Sequence, residues 1–159
     1  MESARDRARQ LFEQAYAAQM RGDLAEAERL YTASIEACPT AEAYTFRGWV
    51  YGLQGRLDEA IAECQKAIAL DPEYGNPYND IGAYLIEKGC LDEAIPWLLK
   101  AMMAPRYEAR VYPHVNLARI WTLKGQWTAA VREYRRALRL DPDYEPARRA
   151  LAELLGRLN

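Results

Sequence analysis

Apolar residues recur three and four places apart with polar letters between them along most of the chain, the spacing of helices and not the alternation of strands. The pattern itself repeats. Aligned on Gly22, Gly55, Gly89 and Gly125, the residues five places later are Ala27, Ala60, Ala94 and Ala130, and twelve places later Ser34, Ala67, Ala101 and Ala137. Seven places before the glycines stand Ala15, Gly48, Gly82 and Ala118, and four before them Ala18, Tyr51, Leu85 and Trp121. Small residues at fixed places predict pairs of helices that touch closely, turning at each glycine. Pro39, Pro72 and Pro142 lie seventeen places after their glycines, and Pro105 one place early. Proline cannot extend the helical hydrogen-bond ladder and biases the preceding residue away from helical angles, so each second helix stops there. "ALDPEY" (69–74) and "RLDPDY" (139–144) are two such stops, with the aspartate placed to accept backbone hydrogen bonds in the turn.

This set of positions, recurring four times, resembles the tetratricopeptide repeat family, most clearly in "GRLDEAIAECQKAIALDPEY" and "GQWTAAVREYRRALRLDPDY". The resemblance implies an all-α fold: a right-handed superhelix of four helix-turn-helix units, at about 8–40, 41–74, 75–108 and 111–144, in a single domain spanning 1–159. The tail "EPARRALAELLGRLN" reads as a ninth helix, about 145–158, covering the last apolar surface as terminal repeats require. Three departures carry predictions. Gln14 and Arg47 stand where the family usually has leucine, as at Leu117, so their polar ends must meet water or a partner. Pro96 falls in the first turns of a second helix, predicting a local distortion near Asp92 without a break. The glycine spacings of 33, 34 and 36 put two surplus residues within "APRYEARVYPHVN", predicting a longer junction or an added half turn before the fourth unit.

Composition changes this picture little. Apolar residues make up 50% and charged residues 28%, ordinary for a folded chain. The net charge of -2 conceals an asymmetry: residues 1–105 hold 10 Lys or Arg against 17 Asp or Glu, and residues 106–159 hold 11 against 6. No stretch approaches the roughly 18 apolar residues of a membrane helix, and the opening "MESARDRARQLFEQ" is unlike a secretory signal, so a cytoplasmic location is expected. Cys38, Cys64 and Cys90 lack CxxC spacing and are expected to be inert thiols.

Catalytic chemistry finds no foothold. His114 is the only histidine, lies on the inward stripe of its helix and reads as a packing residue, so no histidine pair can hold a metal. "GWVYGLQG" lacks the Gly-Lys-Ser/Thr ending of a phosphate loop. The pairs Asp58–Glu59 and Asp92–Glu93 open second helices, where negative charge suits the helix dipole. Arg21-Gly22-Asp23 matches an adhesion motif, but it sits in a turn and reads as a chance match. Arg132, Arg135, Arg136 and Arg139 read as a solvated outer face and not as a nucleic-acid site. Neither enzyme activity nor a cofactor, metal, membrane or nucleic acid is expected.

In the family that the repeats resemble, stacked first helices line a concave groove that binds peptides or protein segments. The corresponding positions are Phe12, Glu13, Tyr16 and Met20, then Thr45, Phe46, Trp49 and Leu53, then Asn76, Asn79, Asp80 and Ala83, and finally Tyr112, Val115, Asn116 and Arg119. The first half is apolar and aromatic, the second polar. The expected binding residues are Phe12, Tyr16, Phe46, Trp49, Leu53, Asn79, Tyr112, Asn116 and Arg119, with the aromatics of the first two units as anchors and Asn79, Asn116 and Arg119 hydrogen-bonding a ligand backbone or carboxylate. The Lys/Asn/Arg set with which some co-chaperone members clamp a terminal carboxylate is absent, because Phe12, Tyr16 and Phe46 occupy its places. The resemblance thus implies a protein-binding scaffold with a protein or peptide partner; the alternative is a homo-oligomer formed through the same apolar stripe.

Overall fold

A computed structural model describes residues 1–159 as nine helices without a strand: α1 (Ala4–Met20), α2 (Leu24–Ala37), α3 (Ala41–Leu53), α4 (Leu57–Leu70), α5 (Asn76–Glu87), α6 (Leu91–Met103), α7 (Val111–Leu123), α8 (Trp127–Leu140) and α9 (Glu145–Arg157). The fold is an all-α solenoid of stacked helix pairs. Helices pair in sequence, α1 with α2 through α7 with α8, and α9 packs on α8.

The four aligned glycines make the turns. Their φ angles of 81, 77, 79 and 72° lie in the left-handed region, open to glycine at no steric cost. At the first, the Gly22 N–H donates to the Gln19 carbonyl at 2.9 Å and Asp23 N–H to Ala18 at 3.0 Å. This two-bond helix ending recurs at Gly55, Gly89 and Gly125, each time satisfying carbonyls the helix would otherwise leave open. The Asp-Pro stops are also duplicates. Asp71 and Asp141 cap α4 and α8, and each carboxylate accepts from the N–H two residues on, Glu73 or Asp143, at 3.2 Å.

Small residues fall where helices approach. Ala15, Ala27, Ala60, Ala94, Ala118 and Ala130 are fully buried, and a Cβ on Gly82 would come within 2.4 Å of Leu98 Cδ2. Three apolar clusters follow: Leu11, Leu30, Tyr31 and Val50 at the start; Cys64, Ile81, Tyr84, Leu98 and Ile120 in the middle; Val131, Tyr134, Ala147 and Leu154 at the end. In the last, α9 covers the surface that α7 and α8 leave bare.

The polar departures find partners. Arg47 donates from Nε to Glu63 Oε2 at 2.7 Å and also to Thr32, while Gln14 is exposed. The first-turn carboxylates link units, Asp58 to Lys88 and Asp92 to Lys124. α6 runs unbroken through Pro96. The surplus residues lengthen the junction between α6 and α7. There Arg106 N–H donates to the Glu73 carbonyl at 3.1 Å and Gly75 N–H to the Arg106 carbonyl at 2.8 Å, a short parallel bridge to the preceding junction.

Candidate functional site

The first helices of successive units also touch one another, α1 with α3, α3 with α5 and α5 with α7, forming the inner layer of the stack. The face they share divides into three parts.

The first part is aromatic. Phe12 and Phe46 lie 5.1 Å apart between ring centroids, Tyr16 and Phe46 6.0 Å, and Phe46 and Trp49 5.9 Å. These distances suit aromatic pairing, so α1 and α3 present one continuous patch. Tyr31 of α2 lies wholly buried beneath it, 5.5 Å from Phe12, and burial pushes its phenol up, with the nearby Tyr16 adding to the shift. Its hydroxyl donates to Gln19 Oε1 at 2.8 Å, whereas the buried Gln19 Nε2 has no acceptor in the chain. Tyr16, Met20 and Leu53 are 43%, 51% and 55% exposed around the patch. Of the expected anchors, Phe12, Tyr16, Phe46 and Trp49 are thus brought together, with Leu53 exposed on the same helix as Trp49. Tyr112 stands apart on α7, edge-on to Tyr144 at 5.7 Å.

The second part is a polar ladder. Arg119 donates to Asn116 Oδ1 at 3.0 Å, and Asn116 Nδ2 donates to Asn79 Oδ1 at 3.0 Å. Both asparagines are buried, so they satisfy one another and hold α5 against α7, while Arg119 stays exposed. Asp80 follows Asn79 on α5. Burial pushes its carboxyl up to about 7, and the hydrogen bond from Asn79 offsets this only in part.

The third part is the junction 104–110. Tyr107 is buried against Gly75, where a Cβ would come within 2.6 Å of the Tyr107 ring. Arg110 ties the segment down by donating to the carbonyls of Met102 at 3.0 Å and Ala104 at 2.8 Å. Between this segment and α3 lies a cavity of about 670 Å³ whose walls include Glu42, Phe46, Tyr74, Arg106, Tyr107 and Glu108. Sequence reasoning passed over Glu42, Tyr74 and Tyr107. The unequal glycine spacing was the available signal, pointing to the segment but not to its contact with Gly75.

His114 is half-buried, and its Nδ1 lies 2.9 Å from Glu133 Oε2. Burial works against the charge on Glu133, but the hydrogen bond from His114 and the neighbouring Arg136 prevail and hold its carboxyl below the usual range. Groups of three or more His, Cys, Asp or Glu placed to hold a metal ion are absent, and no helix is long and apolar enough to cross a membrane.

Tetratricopeptide family models match residues 41–74, 118–159 and 8–31, together more than half of the chain. Superkiller complex protein 3 of Mus musculus is 26% identical over 119 residues, 73% of this chain and 8% of that protein. The TPR repeat-containing thioredoxin TTL4 of Arabidopsis thaliana is 26% identical over 139 residues, 79% of this chain and 19% of that protein. The chain thus spans less than a fifth of the length of these curated relatives. Among solved structures, PilF of Pseudomonas aeruginosa superposes with a TM-score of 0.88 at 24% identity, covering 96% of this chain and 70% of that one. A thermophilic TPR protein of Thermus thermophilus gives 0.81 at 21% identity, covering 96% and 83%.

Proposed function

Because this chain belongs to the tetratricopeptide repeat family, whose repeats mediate protein–protein interaction, we propose that it is a non-catalytic scaffold binding one segment of a partner protein along its inner face. The observation that carries this reading is the aromatic patch of Phe12, Tyr16, Phe46 and Trp49, in which three rings each lie within 6.0 Å of the Phe46 ring, edged by exposed Met20 and Leu53. Large aromatic side chains clustered in a concave face are the kind that dominate binding energy. An extended segment or a helix would lay its apolar side chains on this patch, with Arg119 and Tyr112 contacting it further along.

The test is affinity capture from the native host with wild type and with Tyr16→Ala/Trp49→Ala, two rings at the edge of the patch whose loss spares the buried Tyr31. Partners retained by wild type and lost by the variant are expected; identical capture by two equally folded proteins would sink the reading.

A second reading is favoured by the charge asymmetry, 10 basic against 17 acidic residues in 1–105 and 11 against 6 in 106–159. Opposite charge at the two ends suits head-to-tail contact between copies. Light scattering separates the two: a monomer at all concentrations removes self-association, and a dimer abolished by Tyr16→Ala/Trp49→Ala favours it.

A further inference from the structure

We propose that the cavity between the 104–110 junction and α3 receives a cationic side chain, lysine or arginine, of the segment bound on the inner face. The inference rests on the groove reading and adds a charge requirement to it. Phe46 lines both the cavity and the aromatic patch, so a segment lying on the patch can turn one side chain into the cavity.

The walls explain the choice of guest. Phe46, Tyr74 and Tyr107 supply aromatic surface, and Glu42 and Glu108 supply carboxylates that have no hydrogen-bond or ion-pair partner in the chain. The two arginines at the cavity already have partners within the chain. Arg106 pairs with Asp71 and stands over the Tyr74 ring at 5.8 Å, and Arg110 is committed to backbone carbonyls at 102 and 104. Burial pushes the Tyr74 phenol up, and the charges of Glu42 and Glu108 add to the shift. Aromatic faces beside unpaired carboxylates attract a cation by ring quadrupole and by charge together. An anionic guest would meet two carboxylates without a counter-ion, while the one guanidinium free of an ion pair, Arg110, is turned to backbone carbonyls and its charge reaches the cavity only at Tyr107. Arg106 on Tyr74 shows within the chain that this aromatic surface accepts a guanidinium.

The probe is N-acetyl-arginine N-methylamide, titrated into ¹⁵N-labelled protein, with N-acetyl-citrulline N-methylamide as the neutral near-isostere. Saturable shifts at the Phe46, Gly75 and Tyr107 amides are expected with the arginine compound, and binding about tenfold weaker with citrulline. Glu42→Gln/Glu108→Gln, which changes two side chains outside the core, is expected to remove most of that difference. Equal binding of the two compounds by wild type overturns the proposal without reliance on any variant, and so does an unchanged preference in the folded double variant. Failure of the groove reading is read separately. If capture is indifferent to Tyr16→Ala/Trp49→Ala while the arginine titration succeeds, the cavity stands and the groove does not; the converse removes the cavity alone.

Discussion

Asp80→Asn should stabilise the protein, and do so more as pH rises. Asp80 lies on α5 at the inner face, beside Asn79; burial raises Cys64, Tyr74, Tyr84 and Tyr107, and the charge of Asp80 adds to each shift. No cationic group figures among the causes of its own shift: burial raises it, and Asn79 partly opposes. A carboxyl moved from 3.8 to about 7 is displaced by about three units, an upper bound of about 4 kcal/mol at 1.36 kcal/mol per unit. The residue retains some exposure, and solvent screening brings the expectation to about 2 kcal/mol. The sign follows from proton binding. Because the folded state holds the proton more tightly than the unfolded chain, the stabilisation is complete below about pH 4 and is lost as pH rises to about 7. Asparagine mimics the protonated carboxyl and does not titrate. Urea unfolding of both proteins, followed by circular dichroism at pH 4.5 and pH 8, should give a stability difference that grows with pH by about 2 kcal/mol in favour of the variant. The difference between the two proteins cancels groups of opposite sign such as Glu133, whose lowered carboxyl loses stability as pH falls. An equal difference at the two pH values, or a variant less stable at pH 8, would refute the reasoning.

Other substitutions test the packing and the junction. Gly82→Ala places a Cβ 2.4 Å from Leu98 Cδ2 and 2.7 Å from Cγ, so thermal melts should show a loss of about 1 to 3 kcal/mol despite better helix propensity. Gly156→Ala, on α9 with nothing within 4 Å of the new Cβ, should gain up to about 1 kcal/mol in the same assay. Arg47→Leu leaves Glu63 buried with only the exposed Lys66 as a counter-charge and should cost about 2 to 3 kcal/mol, much of it recovered when Glu63→Gln is added; denaturation of the three variants forms the cycle. Gly75→Ala drives a Cβ to 2.6 Å from Tyr107 and should displace the junction, read as amide shifts spanning 104–110 with α1 and α2 undisturbed.

The fold was legible because its determinants are local and periodic. A glycine at φ near +80°, an alanine at a helix contact and an aspartate before a proline each act within one turn or one helix pair, so four copies of the same spacing reveal them. The aromatic half of the inner face was legible for a related reason: once the helices are placed, Phe12, Tyr16, Phe46 and Trp49 can only fall on the shared side of α1 and α3. The polar half was legible by position but not by state. Asn79 and Asn116 stand where a ligand donor would be sought, yet the distance that matters is the 3.0 Å between their own amides, set by how closely α5 approaches α7. The junction was least legible. Its length could be counted, but Tyr107 finds its place only because residue 75 is glycine, whereas the matching position after "RLDPDY" is Glu145, where no such close approach is made.

Under the proposed groove function, that contrast bears on how the inner face would discriminate among partners. The repeat alone would produce similar surfaces at each junction, and at α7–α9 it gives a regular one, with Tyr144 closing directly into α9. Between α6 and α7 the longer junction instead folds back on the preceding one, buries Tyr107, turns Arg110 to backbone carbonyls and, with Glu42 of α3 and its own Glu108, borders an aromatic cavity. Beside it, Asn116 donates to Asn79 and ties α7 to α5, and Arg119 donates to Asn116. The patch on α1 and α3 supplies apolar contact that many segments could satisfy; the cavity adds a requirement for charge. If the proposed cavity holds, discrimination against a neutral or acidic side chain rests on the junction where the repeat is irregular, since rejecting a wrong partner depends on carboxylates left without a counter-charge as much as on the contacts made to the right one.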